Sequence, residues 1–365
     1  MKAAVLYEFN TPLRVEEIET DPPGRGEVLV RFAASGVCHS DLHTVLGIHK
    51  AVLPAVLGHE GAGVVEQVGE DVRSVTPGDH VIVTWLPYCG HCRFCLSGKP
   101  QLCDNLAWSD AGLMRDGTIR FHRNGERIHH YGSVSSFAER AVVPQETVIR
   151  VADRSLPLTE LALMGCAVMT GVGAVLRTAG VRAGETVAVV GCGGVGLNVI
   201  QGARIAGASR IVAVDVVDEK LELARELGAT DTINSRSDDP VSQIRKLLPE
   251  GVDYSFEALG RPETIETAAR LAGKGSTTVL VGMAPPDTTV AIDALTMTLE
   301  ERTVKGCWFG SVRPPVDYPI LVDLYRRGQL RLDALVSRTC DINGINDAFE
   351  RMERGEVART VVVYD

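Results

Sequence analysis

The sequence predicts a two-domain α/β protein, a mostly β part joined to a doubly wound parallel sheet, and three observations predict it. The chain has 365 residues, which at about 150 residues per domain suggests two domains with a real core. Residues 1 to about 165 read as short strands punctuated by Gly and Pro. From about residue 168 strands alternate with amphipathic helices, a pattern that implies parallel strands joined by crossover helices. The division that follows is 1–167, completed by 309–365, and 168–308.

The elements follow in chain order. KAAVLY, EVLVRFAASG, GAGVVEQVG, DHVIVTW and SFAERAVV have strand composition with turn residues between them. Next come TVAVV and LNVIQGARIAG, IVAVD and DEKLELARELG, VDYSFEA and PETIETAARLAG, and finally STTVLVG, each apolar strand but the last followed by a helical period. After the turn Arg313-Pro314-Pro315, LVDLYRRG and INDAFERMERG read as amphipathic helices, and VVVY as a terminal strand that packs back on the first domain.

Composition narrows the function. Hydrophobic residues at 45% and charged residues at 23% fit a globular enzyme. A net charge of -10, with no basic run to follow a phosphate backbone, argues against nucleic acid as a partner. The N-terminal apolar run is too short for a signal peptide and no stretch reaches membrane-spanning length, so we expect a cytoplasmic protein with no membrane partner.

Gly191-Cys192-Gly193-Gly194-Val195-Gly196 follows an apolar strand and opens a helix, the setting that G-x-G-x-x-G requires for dinucleotide binding in a Rossmann unit. Gly191 permits the turn, Gly193 lets backbone N–H groups approach a pyrophosphate, and Gly196 lets the helix pack close to the strand. Asp215 ends the next strand, nineteen residues beyond Gly196. A carboxylate there accepts hydrogen bonds from the adenosine ribose hydroxyls and repels a 2'-phosphate, which favours NAD over NADP.

Four of nine cysteines fall between positions 89 and 103. Cys89, Cys92, Cys95 and Cys103 follow C-x2-C-x2-C-x7-C, which suits a tetrahedral structural zinc with no open position. An iron–sulfur centre is the rival, but the ferredoxin run places its fourth cysteine after three residues with proline behind it, whereas Pro100 here precedes Cys103. A second, dispersed set is Cys38, His59 and Cys166, each beside glycine. Three protein ligands leave a fourth position open, the arrangement of a catalytic zinc. Spacing alone makes this triplet moderate evidence, because a buried Cys or His is usually structural.

With these residues in view, the chain resembles the zinc-dependent medium-chain alcohol dehydrogenases, the family of the liver and yeast enzymes, over essentially its whole length. The resemblance rests on Gly58-His59-Glu60 with Gly63, Gly69 and Val72, on Cys38-His39-Ser40-Asp41-Leu42-His43, and on the four-cysteine loop. It implies a GroES-like mostly β catalytic domain beside the Rossmann cofactor domain. It implies two zinc ions per chain, one catalytic on Cys38, His59 and Cys166 and one structural on Cys89, Cys92, Cys95 and Cys103. Glu60 would stand behind the catalytic ion and Asp41 would orient His59.

The reaction implied is NAD-dependent oxidation of a primary alcohol to an aldehyde, and the reverse, by hydride transfer from a zinc-bound alkoxide. Ser40 would accept the substrate proton and His43 pass it to solvent. The residues also admit plainer readings, His39 and His43 as solvated loop positions, Ser40 as a helix N-cap and Arg359 as a surface charge, but in this context function is favoured. The resemblance also implies cofactor contacts. Thr170 and Val195 would press the nicotinamide, Asp215 and Lys220 would hold the adenosine ribose, and His39 and Arg359 would flank the pyrophosphate with Gly194 in the loop. Backbone at Val281, Cys307 and Phe309, with Met283 beside it, would meet the carboxamide.

By the same matching the substrate pocket comprises His49, Trp85, Tyr131, Gly132, Met283 and Trp308, whose aromatic walls suit a primary aromatic or allylic alcohol. A glutathione adduct is disfavoured, because His49 and Ala107 stand where those relatives carry an acid and an arginine. The segment from Asp104 to His130 resembles the longer loop of liver-type dimers, so a homodimer is expected. Two other functions compete: a zinc-dependent polyol or sugar dehydrogenase, which usually has a carboxylate in place of the third thiolate, and a non-catalytic dinucleotide-binding scaffold.

Overall fold

The computed structural model describes residues 1–355 and 358–365, and its contacts divide the chain into two compact units, Met1–Cys166 with Arg313–Asp365, and Ala167–Val312.

The first unit is built on a seven-stranded sheet. Its strands include β1 (Glu27–Gly36), β2 (Gly61–Val68), β3 (His80–Val83), β4 (Arg140–Pro144) and β5 (Val148–Val151). They lie in the order β5-β3-β2-β1, then Arg359–Val363 and Val336–Cys340, with β4 also paired to β1. β1 is central and buried along almost its whole length, as a strand covered on both faces is. Arg359–Val363 pairs antiparallel with the end of β1, so the C-terminal segment belongs to this sheet. Phe32, Val30, Val65, Val81, Phe121 and Val143 are buried in the core on one side, and Leu42, Leu57, Phe137, Ile345 and Phe349 in a second cluster.

One element of this unit has no clear sequence period. Helix α1 (His39–Val45) has only seven residues, two turns, too few to display a 3.6-residue repeat. It starts just after β1 ends. Its N-cap is Cys38, and the Asp41 carboxylate accepts from the Cys38 backbone N–H at 3.3 Å. Gly36, at the end of β1, has to lack a side chain: a Cβ there would lie 2.0 Å from Glu60 Oε2.

The second unit is a six-stranded sheet of β6 (Thr186–Val190), β7 (Arg210–Asp215), β8 (Asp231–Asn234), β9 (Val252–Glu257), β10 (Ala272–Leu280) and β11 (Thr303–Gly306). Its order is β8-β7-β6-β9-β10-β11, parallel throughout. The chain runs outward from β6 to β8, then returns to β9 on the other side, so the topological switch point lies between β6 and β9. Helix α2 (Gly194–Ala206) follows β6, and Ala188, Val190, Val212, Val214 and Ile233 form the buried seam under the helices. Two edge strands, β8 and β11, lie outside the strands anticipated from sequence, as does the helix Pro240–Leu247. Among the described residues no single helix is long and apolar enough to cross a membrane.

Candidate functional site

The site in the first unit begins where β1 hands over to α1 and where β2 begins. Cys38 caps the helix, His59 and Glu60 immediately precede β2, and Cys166 follows the short turn Ala162–Gly165. These four side chains are brought together: one donor atom from each of Cys38, His59, Glu60 and Cys166 lies within 4.8 Å of the others. His59 and Glu60 are buried, at 4% and 0% exposure.

Asp41, on α1, fixes the imidazole. Its Oδ1 is 2.8 Å from His59 Nδ1 and accepts from Gly58 N–H at 3.3 Å. That leaves His59 Nε2 buried with no hydrogen-bond partner among the described residues. A buried ring nitrogen without a partner is costly unless something binds it. Burial opposes charge on this ring, yet the Asp41 carboxylate and Cys38 hold the His59 pKa well above its ordinary value. The hydrogen bond from Cys166 outweighs burial to hold the Cys38 thiol well below its usual range, and the same bond pushes Cys166 up. Two cysteine sulfurs and an imidazole gathered in this way, with the buried Nε2 left open, fit a zinc ion, which would be held by Cys38, His59 and Cys166.

Glu60 has a partner that sequence alone did not suggest. Its Oε2 accepts from the Arg359 guanidinium, and both side chains are buried. Burial raises the Glu60 carboxyl to about 7, against the pull of Arg359. The pairing joins the start of β2 to the last strand of the chain, residues 299 positions apart, and no local pattern encodes such a contact.

Around this centre, Ser40 Oγ lies 3.8 Å from Cys38 Sγ, and His43 is one turn further along α1. The ring of His49 meets that of His43 edge-on at 5.1 Å. Burial lowers the pKa of both, which favours the neutral rings. Trp85 and Tyr131 stand edge-on to His59 with ring centroids at 6.4 and 6.1 Å. The Tyr131 hydroxyl is 2.9 Å from that of Thr44, so its polar end is already engaged. Gly132 lies against Trp85. His39 is on the exposed side of α1.

The four remaining candidate ligands form a separate cluster. Cys89, Cys92, Cys95 and Cys103 bring their sulfurs within 4.8 Å of one another, with Cys89–Cys95 and Cys92–Cys103 both at 4.0 Å. Backbone N–H groups of Cys92 and His91 point at Cys89 Sγ, and those of Cys89 and Asn105 at Cys103 Sγ, at 3.3 to 3.5 Å. Burial pushes the Cys89 thiol up, but these donors outweigh it and bring it down to about 5. Four soft donors gathered by N–H···S contacts, with no disulfide between them, fit a closed zinc site.

In the second unit the glycine loop joins β6 to α2. Gly191 has φ +95°, Gly193 caps α2 without a side-chain hydrogen bond, and no atom lies within 4 Å of where a Gly193 Cβ would be. Uncapped N–H groups facing open space fit an anion such as a pyrophosphate. At Gly196 a Cβ would lie 1.8 Å from the Gly191 carbonyl oxygen, which explains the third glycine. Asp215, at the end of β7, accepts from Cys192 N–H at 2.7 Å and from Val216 and Val217 N–H at 2.8 and 3.1 Å. Its carboxylate therefore ties the glycine loop to the next strand. Thr170, Val281 and Phe309 are buried, Lys220, Val195, Gly194 and Cys307 half-buried, and Met283 and Trp308 exposed.

Two family models match the chain. The family model described as "Alcohol dehydrogenase GroES-like domain" matches residues 24–153, and "Zinc-binding dehydrogenase" matches residues 194–327. The chain is 41% identical to the NDMA-dependent alcohol dehydrogenase of Amycolatopsis methanolica, over 100% of this chain and 98% of that one. Among solved structures, an alcohol dehydrogenase zinc-binding domain protein from Burkholderia ambifaria aligns with a TM-score of 0.96 at 37% identity, covering 100% and 98% of the two chains. Benzyl alcohol dehydrogenase from Acinetobacter calcoaceticus aligns with a TM-score of 0.95 at 32% identity, covering 100% and 99%.

Proposed function

The chain belongs to the zinc-dependent medium-chain alcohol dehydrogenases, and from that premise we propose that it oxidises a primary alcohol to an aldehyde with NAD as hydride acceptor, preferring aromatic or allylic alcohols. The observation that carries the reading is the gathering of Cys38, His59 and Cys166 around an unpartnered His59 Nε2, with Ser40 beside them. Zinc bound there supplies Lewis-acid polarisation of the hydroxyl oxygen, and bound NAD supplies the hydride acceptor.

The chain's own residues do the rest. Asp41 keeps the His59 ring turned so that Nε2 faces the sulfurs. Ser40 Oγ would accept the alcohol proton as it gives up its own, and His43, whose burial favours the neutral ring, would take up the released proton and pass it to solvent. Asp215 supports NAD over NADP because a 2'-phosphate would meet its carboxylate. Trp85 and Tyr131 support a planar substrate, since ring faces and edges gain about 1 kcal/mol per aromatic pair. The structural neighbour that acts on benzyl alcohol is in keeping with this. The long segment 104–130 supports a homodimer.

The test is turnover followed by NADH absorbance with benzyl alcohol and ethanol, using NAD and then NADP. A higher kcat/KM for benzyl alcohol with NAD is the expected result; equal values for the two alcohols discard the aromatic preference. The relative named for its dependence on NDMA motivates a second arm. Turnover that requires added NDMA, with no NADH released, would show that electrons leave by that route.

A further inference from the structure

We propose that Glu257 is a positioning residue for the nicotinamide half of the dinucleotide, acting through the turn 258–260 and the segment Val281–Met283. The assignment rests on the dinucleotide reading above. Glu257 is the last residue of β9 and the register partner of Val190, the last of β6. These two strand ends flank the switch point, where ligands of open parallel sheets bind. Asp215 lies on the β6–β8 half, which takes the adenosine side, so the β9–β11 half is left to face the nicotinamide side.

Glu257 is fully buried, yet its carboxylate is not placed as a surface acid or an ion pair would be. Oε1 accepts three hydrogen bonds, from Leu259 N–H at 2.9 Å, Gly260 N–H at 2.8 Å and the Thr264 hydroxyl at 2.7 Å. Oε2 is buried without a partner among the described residues. The Glu257 main-chain oxygen accepts from both Val281 and Gly282 N–H at 2.9 Å. One residue therefore gathers five donors, from the turn 258–260, the helix Pro262–Leu271 that follows it and the segment after β10.

Those loops are pressed together with no slack. A Cβ on Gly282 would lie 2.2 Å from Gly260 N, and one on Gly260 would lie 2.4 Å from the Met283 carbonyl oxygen. On its other side the turn leans on the glycine loop, since a Cβ on Gly191 would meet Leu259 Cγ at 2.6 Å. Freeing the turn therefore frees Val281–Met283. A buried carboxylate with one oxygen saturated and the other unpartnered is an expensive way to fix a turn, and a turn that only closes the fold does not need it.

The test compares NAD with ADP-ribose, which lacks nicotinamide, by calorimetric titration of the full-length protein. Glu257→Ala should weaken NAD binding by about tenfold or more, the equivalent of one or two lost hydrogen bonds to a charged group, while ADP-ribose affinity stays within about threefold. Glu257→Gln keeps the Oε1 acceptor and should restore NAD binding to nearly the native value. If Glu257→Ala does not fold, Thr264→Val removes one of the three donors and should give a smaller loss of the same kind, for NAD alone. Equal losses for NAD and ADP-ribose, or a variant that binds NAD as the native protein does, overturn the assignment while leaving the dinucleotide reading intact. A native protein that binds neither ligand overturns both.

Discussion

At the residue scale, single side chains carry more than one duty, and this shapes what their replacement does. Asp215 ties down the glycine loop through three backbone donors and, in the function proposed above, also faces the adenosine ribose. Asp215→Ala should reduce the preference for NAD over NADP in kcat/KM and also lower stability by about 1–3 kcal/mol, because three N–H groups lose their acceptor. Unchanged selectivity would refute its role. His130 gives a pH prediction. It is buried with a neutral ring whose Nε2 accepts from Arg120 N–H at 3.2 Å, packed 4.6 Å from the Phe121 ring. Burial, helped by the Arg120 charge, lowers its pKa from 6.5 to about 3. Between those values the unfolded chain binds a proton that the folded chain refuses, so stability is fully present above 6.5 and declines as pH falls towards about 3. The slope from this one group approaches about 1.4 kcal/mol per pH unit. His130→Gln, which retains an acceptor, should flatten the fall of melting temperature over that window. An unaltered profile would assign the acid sensitivity to other groups.

At the element scale, the loop from Cys89 to Cys103 has little apolar burial of its own. Phe94 is half-buried, Leu96 is 75% exposed, and the helix Arg93–Leu96 buries nothing. Its order must then come from the sulfur cluster, so Cys89→Ala should halve the zinc content and lower the melting temperature by at least ~5 °C. Full zinc content in that variant would mean that the ion sits elsewhere. The same contrast explains what could be read in advance. The strands β6 and β7 are buried, largely apolar runs followed by helices, and the glycine loop needs only six consecutive residues, so these are written locally. The edge strands β8 and β11 are short and mostly polar, with sequences DTIN and TVKG, and pairing on one side only imposes no apolar run. α1 is too short to show a period. Glu60–Arg359 and the main-chain bonds from Val281 and Gly282 to Glu257 join positions whose proximity is a product of the fold, so neither has a local signature. The four-cysteine loop was legible because its spacing is itself chemistry, and Cys38, His59 and Cys166, with Asp41 and Glu60 behind them, through the family resemblance, whereas the hold of Arg359 on Glu60 was not.

For the whole molecule, the chain keeps its two kinds of chemistry in separate units. All the donors of both sulfur-containing clusters lie within Met1–Cys166, and the glycine loop, Asp215 and Glu257 within Ala167–Val312. Each cluster is held by hydrogen bonds within its own unit: Asp41 on His59 and Arg359 on Glu60 in the first, Asp215 on the Cys192 backbone in the second. Sites that share no partners respond independently to substitution. Cys38→Ala should therefore abolish turnover and reduce zinc from two ions per chain to one, while the dissociation constant for NAD stays within about twofold. The two measurements separate the possible failures. Retained turnover would remove Cys38 from the metal centre, and retained zinc with lost turnover would make the thiol a participant of another kind. A large loss of NAD affinity would mean that Cys38 itself bears on the dinucleotide site. The outcome with NAD binding intact and zinc halved is the one that follows from ligand sets so placed along the chain.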